Sequence, residues 1–139
     1  MKSCSVSFIL IALIIISCSS KEAEKSQVNL LHDIWALASI NSEKVVIDET
    51  VKNLPKLEIY VEDEMVRGNT GCNTINGKVE IDKNKISFYD ITATEMVCPG
   101  DLERRFISAL QKVNNYKIVK FKLYLYENDK VLLSFQKID

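Results

Sequence analysis

The chain has 139 residues, with 18 Lys and Arg against 19 Asp and Glu and a formal net charge of −1. That balance is no electrostatic footprint for nucleic acid, which favours clustered Lys and Arg and a high pI. The length suits one compact domain and not two.

The N-terminus reads as an export signal. Lys2 supplies one positive charge, an apolar run extends from Val6 to Ile16, and Ser17-Cys18-Ser19-Ser20 follows. A basic start, about ten apolar residues and a small residue before the cut make a secretory signal. Crossing a bilayer takes about 20 apolar residues. Ile15-Ile16-Ser17-Cys18 resembles the bacterial lipobox, in which a branched aliphatic, a tolerant position and a small residue precede an obligatory cysteine. The resemblance implies that residues 1–17 are removed and that Cys18 becomes the first mature residue, carrying a diacylglycerol. Each buried CH₂ contributes about 0.8 kcal/mol, so two or more acyl chains hold stably. The expected location is the cell envelope, at the outer membrane, with the membrane itself as first partner. Loss of Lys2 lowers the 18 basic side chains by one against 19 acidic, a formal charge of −2.

Residues 18–29 form a small, charged tether, "CSSKEAEKSQVN", suited to solvation between lipid and domain. His32-Asp33 follows; without a nucleophile nearby it reads as surface. Trp35, Leu37 and Ile40 suggest an opening strand over Ile34–Ile40. Leu57, Ile59 and Val61 alternate with polar neighbours as a second strand, and Glu62-Asp63-Glu64 reads as its hairpin tip.

Gly68 to Gly77, "GNTGCNTING", holds three of the four glycines. A Walker loop would need Gly-Lys-Ser/Thr, and a calcium loop alternating carboxylates; neither is present. His32 is the one histidine, so a Cys-His nucleophile has no base at hand. Glycine and asparagine both tolerate positive φ, which makes this stretch a sharp backbone corner. With Cys4 lost and Cys18 acylated, Cys72 and Cys98 remain, and in an oxidising compartment the pair reads as a disulfide. A metal site is the competing reading; it lacks a second cysteine pair.

Val79 and Ile81, then Ile86 and Phe88, flank the turn Asp82-Lys83-Asn84-Lys85 as a hairpin. Cys98-Pro99-Gly100 stops the second strand. From Asp101 to Val113 the apolar positions Leu102, Phe106, Ala109, Leu110 and Val113 trace one helical stripe, with Asp101 as N-cap and Glu103 in the first turn. Arg104, Arg105 and Lys112 lie off the stripe as a solvated face. Leu123 and Leu125, the turn Glu127–Lys130, then Val131, Leu133 and Phe135 make a second hairpin. Of the tyrosines Tyr60, Tyr89, Tyr116, Tyr124 and Tyr126, the last two share one face opposite Leu123 and Leu125. They are either a stacking or protein-binding patch or the amphipathic outer face of a strand covered in part by its neighbour. The fold class is mainly β (α+β): a curled antiparallel sheet, barrel-like, with one packed helix.

Several of these stretches together resemble the META domain, as in HslJ-type bacterial heat-shock lipoproteins. The family's Gly-x-x-Gly-Cys-Asn-x-x-x-Gly is matched by Gly68, Gly71, Cys72, Asn73 and Gly77. Its Thr-x-Met-x-Cys is matched by Thr94, Met96 and Cys98, and its W-x-L by Trp35 and Leu37. Val97 stands where the family commonly has alanine. The resemblance covers Leu30 to Asp139. It implies a small antiparallel β domain with one helix, a lipoprotein of the envelope, and links to stress response and drug tolerance. Secretin pilotins share a similar shape. It implies no catalytic activity, cofactor or metal. The expected function is a non-catalytic, lipid-anchored envelope protein that binds a protein partner. Alternatives are a carrier of apolar ligands, or an inhibitor of a lytic enzyme or protease that presents the loop near Cys72.

Overall fold

The computed structural model describes residues 27–49 and 51–138. The signal, the lipobox, Cys18 and the tether up to residue 26 lie outside the described residues. The chain enters through helical residues 27–29 and runs into β1 (Ile34–Ile40), β2 (Glu43–Lys44), β3 (Lys56–Tyr60) and β4 (Met65–Asn69). Next come β5 (Thr74–Asp82), β6 (Lys85–Ala93), the helix α1 (Leu102–Leu110), β7 (Asn115–Val119), β8 (Lys122–Glu127) and β9 (Lys130–Ile138).

The strands form one antiparallel sheet in the order β2-β1-β3-β4-β5-β6-β7-β8-β9. The first strand also pairs with the last, from Ile34↔Ile138 to Ile40↔Leu133. The expected curled sheet with one helix therefore forms, as a ring-like curl. One seam interrupts it: β6 meets β7 at the single register pair Lys85↔Asn115. Tyr116 closes that seam with its backbone N–H on Asn84 O (2.9 Å) and its hydroxyl on Lys83 O (2.9 Å).

Alternation fixes which face turns inward. Leu57 and Ile59, Ile75 and Val79, Ile86 and Phe88, and Leu123 and Leu125 are all buried while their neighbours face out or sit at the rim. Both predicted hairpins form, each with a left-handed residue in its turn, Lys83 (φ 57) and Asn128 (φ 54). Bulges disturb the alternation. The register shift between Leu125 and Tyr126 lets adjacent Leu132 and Leu133 both point inward. Val61, expected on a strand, lies in the turn after Tyr60, and Glu62-Asp63-Glu64 completes that turn as expected.

The helix covers one mouth of the ring. Phe106, Ala109 and Leu110 are buried, and the Phe106 ring packs on Phe135 of β9 at 6.1 Å. Its helical run stops at Leu110, short of Val113. Lys112 N–H then bonds Ala109 O and Val113 N–H bonds Leu110 O, a tightened last turn. Asp101 occupies the N-cap, but its carboxylate makes no capping hydrogen bond; it sits 3.8 Å from both Arg104 and Arg105 instead. Arg105 also pairs with Glu43 of β2, so that part of the expected solvated face is a bridge to the sheet.

Candidate functional site

The "GNTGCNTING" stretch is not one loop. Gly68 ends up inside β4 and Gly77 inside β5, leaving Thr70 to Asn73 as the corner between them. Positive φ explains only Gly71 (φ 101); no asparagine of the stretch has it. The other two glycines answer a different need. A Cβ on Gly68 would lie 2.4 Å from the Lys56 carbonyl oxygen of β3. One on Gly77 would lie 2.3 Å from Ile91 Cδ1 and 3.1 Å from Tyr89 O. Gly77 sits where the β5–β6 register shifts, opposite Asp90 (φ 52). Close approach of the β3 backbone dictates Gly68, and the Ile91 side chain with the Tyr89 carbonyl crowds Gly77; left-handed geometry dictates neither.

Asn73 is the centre of the site, 1% exposed. Its Oδ1 accepts from Thr94 Oγ1 (2.7 Å) and from Met96 N–H (2.9 Å). Its Nδ2 donates to Met96 O (3.0 Å) and Glu103 Oε1 (3.1 Å), and lies 3.0 Å from Cys98 Sγ. One side chain thus holds segment 94–98 by both backbone groups of Met96, as a neighbouring strand would. Thr70 completes the set: its hydroxyl donates to Glu103 Oε2 (2.6 Å) and accepts from Asn73 N–H (3.0 Å). Glu103 was expected only as a first-turn acid on α1; it is the acceptor that ties the helix to the corner. Nothing in its spacing from Asn73 announces that.

The two sulfurs are bonded, as the cysteine reading expected, with Cα atoms 5.9 Å apart. The bridge runs alongside the Asn73 contacts, from the corner to the end of the same segment. Thr94, Met96, Cys98, Asn73 and Cys72 are therefore brought together, while Gly68 and Gly77 support them from the strands. Cys18 lies outside the described residues.

The clasp has a visible product. Met96 is 51% exposed and Val97 93% exposed, while Cys98 beside them is half-buried. An apolar pair projects from a segment whose two ends are fixed.

Other candidates fall away from this centre. His32 is exposed and meets Tyr60 edge-on at 5.7 Å. Asp33 accepts from Ile34 N–H and pairs with Lys137 Nζ at 2.6 Å, so it does not orient His32. Tyr60 donates to Glu58 and lies under Arg67. The bond from Lys56, then that from Tyr60, holds the Glu58 carboxyl below its ordinary value. Tyr124 and Tyr126 are half-buried on the outer face. Tyr116 is buried, which pushes its phenol above the ordinary tyrosine value.

Three solved structures share this architecture. One, an NMR structure, superposes with a TM-score of 0.60 at 20% identity, covering 81% of this chain and 92% of its own. A protein from Burkholderia xenovorans gives 0.63 at 18% identity, with 80% and 86% covered. A DUF4847-family protein from Bacteroides vulgatus gives 0.57 at 17% identity, with 78% and 96% covered. At such identities the likeness is one of fold. No curated protein matches the sequence. The META domain model matches residues 28–139, from the helical turn before β1 through the last strand. A match of that extent takes in the whole sheet and its helix, and the chain belongs to the META domain family.

Proposed function

We propose that the chain is a non-catalytic, lipid-anchored protein of the cell envelope, held at the outer membrane through Cys18. Its META domain binds another envelope protein, in a role tied to stress or drug tolerance. One observation carries this reading. The side chains with the most chemistry in them, Asn73, Thr70 and Glu103, are committed to one another, and what they hold is the exposed Met96–Val97 pair. A rigid apolar projection loses little conformational freedom on docking, which favours binding.

The same projection also suits the second reading, an inhibitor of a lytic enzyme or protease, because a preorganised loop is what such an inhibitor presents. A carrier of apolar ligands is less well supported: Trp35, Phe106 and Phe135 fill the inside of the ring, and a ligand would have to displace them. The test is a photocrosslinking residue at position 97 of the anchored chain in living cells, with exposed Ser108 of α1 as control. A protein captured from position 97 and not from 108 is the expected outcome, and its identity separates a structural partner from a lytic enzyme. No specific capture from 97, in resting or stressed cells, defeats the proposal.

A further inference from the structure

We infer that the β7–β8 turn is a second membrane contact, docking Phe121 and its flanking lysines on the headgroup region of an anionic bilayer. Phe121 is 66% exposed and Val119 43% exposed, at a turn set by Lys120 (φ 57). The turn is held in place by Lys137 N–H on Phe121 O (2.8 Å), so the ring is presented by fixed backbone. Lys117, Lys120 and Lys122 stand exposed around it. Between Val113 and Tyr126 the sequence has no Asp or Glu. None of these three lysines has a carboxylate partner among the described residues.

That combination has a specific complement. An aromatic ring set among unpaired ammonium groups is a poor match for a protein interior, where the charges would lose water without a partner. At an anionic bilayer both halves are satisfied: the ring reaches the acyl boundary and the ammonium groups stay at the phosphates.

The path of the chain points the same way. Gln27 borders a surface cleft of about 320 Å³ together with Tyr116, Lys117 and Ile118 of β7. Lys137, which holds the turn, also pairs with Asp33 just before β1. The incoming chain and the β7–β8 turn therefore share one mouth of the ring, where Leu30 is also 48% exposed. The clasp and α1 occupy the opposite mouth. Residues 18–26 can span at most roughly 30 Å, so a lipid on Cys18 keeps this mouth of the ring within that distance of the bilayer. That proximity rests on the lipid-anchor reading; the contact itself does not.

The experiment uses the full lipidated protein with Phe121→Trp on vesicles of phosphatidylglycerol or phosphatidylcholine, some with brominated acyl chains. Trp35, 1% exposed, gives the background measured on the unsubstituted protein. Expected on phosphatidylglycerol are emission at shorter wavelength and quenching by bromine. Each lysine contributes about fivefold to partitioning onto anionic lipid, so Lys117→Glu, Lys120→Glu and Lys122→Glu together lower the contact by roughly a hundredfold or more. Water-like, unquenched emission from vesicle-bound protein overturns the inference. So does equal quenching on phosphatidylcholine, or indifference to the triple substitution. Flotation of a Cys18→Ala chain on phosphatidylcholine, where the lysines have no anionic partner, tests the anchor separately. If it floats as the parent does, the anchor reading fails while the tryptophan on phosphatidylglycerol still reports the contact.

Discussion

Asn73 does with one amide what a strand partner does with several peptide groups. Replacing it with alanine removes a partner from the Met96 N–H, the Thr94 hydroxyl and one Glu103 oxygen, groups that lie on the part-buried rim around Asn73. A hydrogen bond of this kind contributes about 0.5–1.5 kcal/mol net, so Asn73→Ala is expected to lower unfolding free energy by about 2–3 kcal/mol. Urea denaturation with the disulfide intact measures it; a loss under 1 kcal/mol would show that the clasp is not what holds the corner. At this scale the sequence was legible by type and not by cause. The absence of a base, a phosphate loop or carboxylates already argued for a structural role. Yet Gly68 and Gly77 are glycines because another backbone or side chain occupies the space of a Cβ, a fact set by strand neighbours distant in sequence. Glu103 was missed as a partner of Asn73 for the same reason: their contact spans 30 residues.

Strands and helix were read where a period repeats and missed where it does not. The β5–β6 and β8–β9 hairpins show alternation and polar turns on either side, so both were evident. The segment Met65–Asn69 is too short and too rich in polar residues to show a period, and pairing with β3 and β5 makes it a strand. The helix outran its true end in the sequence because Val113, buried after the tightened turn, continues the stripe. The seam between β6 and β7 had no signal, since a closing contact between strands separated by α1 has none. Tyr116 is its principal tie. Tyr116→Phe removes the bond to Lys83 O and is expected to lower stability by about 1 kcal/mol at neutral pH. The sign with pH follows from burial. The folded phenol titrates above tyrosine's ordinary value near 10, so its contribution is whole below that value and fades as pH rises through the raised one. The parent should therefore lose more stability than the phenylalanine variant on passing into strong alkali, a difference that pH-dependent thermal melts resolve.

For the molecule as a whole, the disulfide and the Asn73 clasp restrain the same corner by different physics. The bridge acts on the unfolded chain: tying off 26 residues removes about 3–4 kcal/mol of loop entropy from it. The amide contacts act on the folded state and persist without the bridge. Cys72→Ala with Cys98→Ala should then fall by about 3 kcal/mol while keeping the native strand pattern; circular dichroism with denaturant titration checks both, and loss of the β spectrum in buffer would mean that the corner depends on the sulfurs alone. The barrel-like curl is legible in the sequence, but not which strands close it. That the first strand pairs with the last could not be read from either segment, because both present the same inward aliphatics to any partner. This pairing has a consequence for how the protein comes into being. Until Leu133 and Phe135 reach β1, Trp35 and Leu37 have no strand partner along that edge. A chain made N-terminus first thus cannot complete its core until its final strand arrives.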